Sequence, residues 1–200
     1  AVCCFYLGTY GCACLCVRRC VWSLCHDKNI ILEYCSSPSR PYTEHTTMMN
    51  ALAMFNRLKK LPGGTRLFSL GVCRAAPYFS TIHPHVTELT PGLVRVSMRK
   101  RRGVENHLQT VHAIAMCNMA ELAGGLLTDV SVPKGARWIP SGMTVQYLAK
   151  AKTDLVATSD GSGIDWSREG SIVVPVIVRD TSNTEVFRAD ITMNVKHAKA

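Results

Sequence analysis

The chain is short of acidic residues. Its 14 Asp and Glu stand against 23 Lys and Arg, a formal charge of +9 with a pI near 9.2. That imbalance points to an anionic partner, whether nucleic acid, an acidic membrane surface or a phosphate-bearing small molecule. Charged residues of both signs make up only 18% and hydrophobic ones 47%, which excludes a disordered chain. No internal repeat is recognisable. A length of 200 residues fits one ordinary domain with a real core, plus an appendage.

Cysteine almost disappears after position 35. Eight of the ten lie between Cys3 and Cys35, and only Cys73 and Cys117 follow. The N-terminal set, Cys12, Cys14, Cys16, Cys20 and Cys25 with His26 behind it, lacks the paired C-x2-C spacing that preorganises a zinc site. The rest of the chain lacks the matching cysteines of a disulfide framework. Residues 1–17 carry no charge and stop at Arg18 and Arg19, so the basic residues follow the apolar stretch, the reverse of a signal peptide. Residues 1–45, which include the linker-like run from Ser36 to Pro41, are expected to form a cysteine-rich, poorly ordered extension. A weak membrane anchor through acylated cysteines is weighed beside that reading. Position 1 is Ala, so a fragment or a translated leader is expected. Residues 46–200 are expected to be the folded domain, without metal or cofactor, and in the cytoplasm.

Residues 47–61 place apolar side chains at Met48, Leu52, Phe55 and Leu58 and end in Lys59 and Lys60. This is the pattern of an amphipathic helix that Pro62, Gly63 and Gly64 stop. Residues 77–90 and 93–99 are β-rich runs joined by a turn at Pro91 and Gly92. In the second run Val94, Val96 and Met98 share one face, and Leu93, Arg95, Ser97 and Arg99 the other. Residues 138–152 alternate at Met143, Val145, Tyr147 and Ala149. A short apolar run follows over 155–158, then a polar loop over 159–170 and two further strands over 171–179 and 186–196. Successive strands with short turns imply an antiparallel sheet, and one buried helix among them implies that the sheet curls around it. The expected class is α+β, a curved antiparallel sheet wrapped around one long buried helix, with an N-terminal helix.

The most informative stretch leads into that long helix. Asn106, His112 and Glu121 stand six and nine residues apart, and from Val111 to Leu127 the only polar side chains are His112, Asn118 and Glu121. Such a helix is expected to be buried on most sides. A carboxylate inside it is costly unless paired or protonated, so Glu121 demands a reason. The plain reason is a buried hydrogen bond or ion pair, with His112 a satisfied helix-start residue. Gly124 and Gly125 each cost a helix roughly 1 kcal/mol, which suggests close approach of another backbone or a ligand. Cys117 is expected to be a small core residue.

This layout and this spacing resemble the hot-dog fold, in particular its phenylacetic-acid-degradation type of thioesterase. Members of that branch carry an Asn, then six residues on a His opening a His-Gly-Gly step, then nine further on an Asp or Glu. Asn106, His112 and Glu121 match, Thr110 and Val111 precede the His as is common there, and the likeness covers about residues 75–198. The departure is Ala113 and Ile114 in place of Gly-Gly.

The resemblance implies an acyl-CoA thioesterase that hydrolyses a fatty or aromatic acyl thioester, as a homodimer or tetramer. The N–H of Ala113, at a helix N-terminus, would polarise the thioester carbonyl. Glu121 would serve as general base or nucleophile, and Asn106 would orient water or the thioester oxygen. Nine helical residues turn through about 900°, so His112 and Glu121 project on opposite sides. Two chains packed helix beside helix would solve this, His112 coming from one and Glu121 from the other. Arg99, Arg101 and Arg102, with Lys134, Arg137, Lys150 and Lys152, would supply a positive rim for coenzyme A phosphates, and Gly124 and Gly125 would lie against the substrate. Nucleic acid fits less well, because the basic run has no interleaved aromatics. With Ala113 and Ile114 replacing Gly-Gly, a non-catalytic hot-dog module that binds acyl-CoA or lipid is the alternative.

Overall fold

Apolar spacing places the first helix as expected, and it ends before the Pro-Gly-Gly run, which also links it to a second helix not expected from the sequence. The computed structural model describes residues 51–197; the cysteine-rich head and the first residues of the expected N-terminal helix lie outside it. Helix α1, Ala51–Leu58, buries Ala51 and Phe55 on one face. Gly63 turns the chain with φ of 72°, and Gly64 opens α2, Gly64–Ala75. A Cβ on Gly64 would stand 1.8 Å from the Leu58 carbonyl oxygen, so only glycine lets the two helices meet this tightly. The Phe55 and Phe68 rings then pack edge to face, 5.1 Å between centroids.

The β-rich run expected over 77–90 divides. Pro77–Ile82 is a 3₁₀ turn with its proline at the start, where a missing N–H costs nothing. Strand β1, His85–Thr90, begins only after His83 has turned through φ of 48°. It is antiparallel to β2, Leu93–Met98. Val94, Val96 and Met98 are buried as the alternation requires.

Helix α3, Ala113–Ser131, is the core helix. It packs against all six strands, with β3 (Arg137–Tyr147), β4 (Leu155–Asp160), β5 (Gly170–Asp180) and β6 (Glu185–Lys196) completing the sheet. By length and composition α3 would pass as a membrane span, but most of it is buried inside the fold. Strand order is β1-β2-β4-β5-β6-β3, antiparallel throughout. The expected class holds: a curved antiparallel sheet around one long helix, the hot-dog arrangement. Met119 and Leu127 are fully buried between helix and sheet, each contributing roughly 1.5–3 kcal/mol of burial.

Two boundaries moved. Strand β3 ends at Tyr147, not 152, because the N–H groups of Leu148 and Ala149 both turn to the Val186 carbonyl. Strand β4 takes in Ser159 and Asp160, expected in the loop. Ser159 is fully buried, its hydroxyl donating to the Pro175 carbonyl at 2.8 Å. Strand β3 is an edge, and Ile139, Met143 and Tyr147 on it are exposed.

Candidate active site

The loop before α3 is built by Asn106. Its Oδ1 accepts from the N–H of Leu108 at 2.9 Å, and from the N–H and hydroxyl of Thr110, both at 3.2 Å. The oxygen is therefore committed to an Asx-type turn, which leaves Nδ2 as the group Asn106 can offer a ligand. The turn is pinned by the His112 N–H to the Val104 carbonyl and the Val111 N–H to the Ala151 carbonyl, each 2.8 Å.

His112 is the N-cap of α3. Its Nδ1 accepts from the Ile114 N–H at 3.1 Å, while its carbonyl takes the N–H groups of Ala115 and Met116. The Ala113 N–H has no partner among the described residues. A single unpaired donor thus stands at the positive end of a 19-residue helix. The satisfied helix-start role of His112 and the free amide beside it are two sides of one arrangement.

Glu121 is not the buried carboxylate expected from its neighbours. It is exposed, on a stripe with Ile114, 54% exposed, and the half-buried Cys117. These three are spaced three and four residues apart, so they form one helix face that the sheet leaves open. Cys117 lies on this face rather than in the core, its Sγ 3.4 Å from the Tyr147 hydroxyl on β3. That contact, more than partial burial, pushes the Tyr147 phenol pKa up.

Gly124 and Gly125 are buried against this chain's own side chains. A Cβ on Gly124 would come 2.9 Å from Ile191, and one on Gly125 would come 3.2 Å from Trp138. The expected approach of a ligand is filled by β6 and by the start of β3. Burial holds the Asp129 carboxyl above its ordinary range, and the neighbouring Trp138 opposes that shift only in part. Asp129 lies two residues beyond Leu127, where the apolar run ends, and no spacing in the sequence marks it.

The basic residues separate into two groups. Arg99, Arg101 and Arg102 follow β2, close to the foot of α3, and the chain at Ala151 brings the exposed Lys150 and Lys152 to the same end. Lys134 and Arg137 are exposed beyond the other end of α3, about 28 Å away along the axis of such a helix. One chain therefore does not unite them in the single rim expected.

Beside the helix start lies a cleft of about 190 Å³ lined by Tyr78, Thr81, Glu105, His112, Ile114 and Asn118. Asn118 donates from Nδ2 to Thr81 Oγ1 at 3.1 Å, and Arg101 donates from Nη2 to the Thr81 carbonyl at 2.6 Å. Thr81 had no distinguishing mark in the sequence; only the packing of the 3₁₀ turn on α3 brings it here. Among the described residues no group of three His, Cys, Asp or Glu side chains is placed to hold a metal. Cys73 and Cys117 are free thiols.

The fold is shared with solved structures. A structural-genomics protein designated APC5556 is 50% identical, with a TM-score of 0.68 over 74% of this chain and 99% of its own. A Haemophilus influenzae thioesterase, HI1161, is 12% identical with a TM-score of 0.54, covering 60% of this chain and 82% of its own. A thioesterase-family protein from Silicibacter pomeroyi is 14% identical with a TM-score of 0.56, covering 65% and 96%. At these identities the last two establish the arrangement of helix and sheet alone. No curated protein matches the chain. The family model described as a domain of unknown function, DUF4442, matches residues 64–195, and the chain belongs to that family.

Proposed function

We propose that this domain is an acyl-CoA thioesterase of the phenylacetic-acid-degradation kind, working as a homodimer with each site divided between two protomers. The observation that carries the reading is the unpaired Ala113 N–H at the start of α3, beside a ring that occupies its neighbour's N–H. An N–H so placed suits the oxyanion formed when water attacks a thioester carbonyl. The solved thioesterases with the same fold support the class of reaction.

Glu121 is the base in this scheme. It lies nine residues along α3 from His112, on the other side of the helix, so it serves the partner's site. The carboxylate takes a proton from water as the oxygen attacks the carbonyl carbon. The oxyanion is held by the Ala113 N–H and, through Nδ2, by Asn106. On collapse the C–S bond breaks and the departing sulfur takes the proton from Glu121. Antiparallel pairing of two α3 helices would also bring one chain's Lys134 and Arg137 towards the other's Arg99 and Arg102, which restores a joint basic rim for coenzyme phosphates.

Purified domain offered a panel of fatty and aromatic acyl-CoAs, with thiol release followed over time, tests the reading. Glu121→Ala is expected to lower kcat by roughly 100-fold or more. Equal turnover by both proteins removes Glu121 from the reaction, and no turnover of any substrate removes the hydrolase.

A further inference from the structure

The cleft at the foot of α3 holds a polar group that this reaction leaves unused. Asn118 is only 5% exposed, and its Oδ1 is buried with no partner among the described residues. Its neighbour fixes which end of the carboxamide is left over. Thr81 donates its one hydroxyl hydrogen to the Tyr78 carbonyl at 2.8 Å, so towards Asn118 its oxygen only accepts. Turning the carboxamide over would set two acceptors against each other. Nδ2 therefore faces Thr81, and Oδ1 is what remains to offer.

The support behind this pair is equally definite. Arg101 holds the Thr81 carbonyl, and Gly103 leaves room for it; a Cβ there would lie 2.2 Å from Arg101 Nη1. The 3₁₀ turn is thus held at both its hydroxyl and its main chain. A buried acceptor kept in one orientation is costly when unpaired and discriminates strongly between ligands with and without a donor.

We infer that Asn118 Oδ1 receives a hydrogen bond from an O–H or N–H of the ligand entering this cleft, and that it selects for ligands carrying such a donor. The inference builds on the thioesterase reading, which says what the ligand is. In an acyl-CoA the donor is either a hydroxyl on the acyl chain or an amide N–H of the coenzyme's pantetheine arm; a plain alkyl chain has none. Asn118 stands five residues beyond Ala113, about 7.5 Å along the helix axis, so the donor lies several bonds from the reacting carbonyl. Thr81 is a positioning residue that fixes which way the carboxamide is turned.

Binding of ketone analogues, in which a methylene separates the hexanoyl carbonyl from the coenzyme sulfur, tests this without hydrolysis. The set comprises the unsubstituted analogue, forms with one hydroxyl at the β, γ, δ or ε carbon, and a form with N-methylated pantetheine amides. Wild-type protein is expected to bind one hydroxylated form, or the N–H amide over its methylated counterpart, roughly 10-fold more tightly. The first result assigns the donor to the acyl chain and the second to the coenzyme arm. Asn118→Leu is expected to lose that preference, read as the ratio of affinities for the donor-bearing and donor-free forms. Thr81→Val, at an exposed position, is expected to weaken the same preference, and it carries the test if Asn118→Leu does not fold. A wild type indifferent to both donors, or an Asn118→Leu protein that keeps the preference, overturns the inference. Failure to hydrolyse any acyl-CoA, by contrast, overturns the hydrolase reading and leaves these binding ratios to be judged separately.

Discussion

A helix beginning His112, Ala113, Ile114 has several main-chain N–H groups to place, and it places all but one. The imidazole takes the N–H of Ile114, the His112 carbonyl takes that of Ala115, and the N–H of Ala113 is left. This position tests the oxyanion reading cleanly. Proline is favoured at the first helical residue, and His112 already has the extended backbone, φ −65° and ψ 140°, that a following proline requires. Ala113→Pro is therefore expected to melt close to wild type yet lose about 100- to 1000-fold in kcat, the usual worth of an oxyanion donor. Full acyl-CoA turnover by a folded Ala113→Pro protein would count against the amide as a catalytic group. The residue types and spacing of Asn106, His112 and Glu121 were readable in the chain. What each side chain does was not: the turn that takes up Asn106 Oδ1 is pinned by the Val111 N–H to the distant Ala151 carbonyl, and the exposure of Glu121 depends on which face of α3 the sheet covers.

Among the elements, α2 was the least visible from sequence. Its inward face is only Phe68, Ser69 and Val72, with Gly64, while Leu67 and Leu70 are exposed and blur the helical period. The Pro62, Gly63, Gly64 run also looks like an ending. Its glycines differ sharply in surroundings, which gives a paired prediction. Gly64→Ala forces a Cβ against the Leu58 carbonyl and is expected to lower unfolding free energy by at least about 2 kcal/mol. Gly71→Ala, in the same helix, meets only the end of Met54 at 4.0 Å and is expected to raise it by roughly 0.5–1 kcal/mol. Urea unfolding of both variants checks the contrast, and the account of the helix link fails if they behave alike. Strands β2, β5 and β6 were legible because alternation is local. The 3₁₀ turn at Pro77–Ile82 was not, because its apolar residues do not announce a period.

At the scale of the whole molecule, the open stripe of α3 and the exposed edge of β3 belong to one argument. A long unpaired edge with Ile139, Met143 and Tyr147 exposed invites pairing with a second copy. Such pairing would let Glu121 of one chain serve the Ala113 amide of the other. Mixing two proteins, Glu121→Ala and Ala113→Pro, then has a distinctive expected result. Each alone is inactive, but random heterodimers keep one intact site of two, so activity should return to about a quarter of wild type in a symmetric dimer. Co-refolded mixtures assayed against acyl-CoA check this. Absence of any recovery would place the whole site within one chain.

Periodicity and spacing in the chain were enough to specify an antiparallel sheet around a buried helix, and an Asn, His and Glu ranged along its start. Both are local properties, repeating every two or 3.6 residues, so a linear reading captures them. Tertiary packing decided the rest. It turned Glu121 outwards, filled the space beside Gly124 and Gly125 with Ile191 and Trp138, and parted the basic residues to the two ends of α3. It also carried Thr81 across 37 positions of sequence to Asn118. Which face of a helix a sheet leaves uncovered is a matter of how surfaces meet in space, and no period along the chain encodes it.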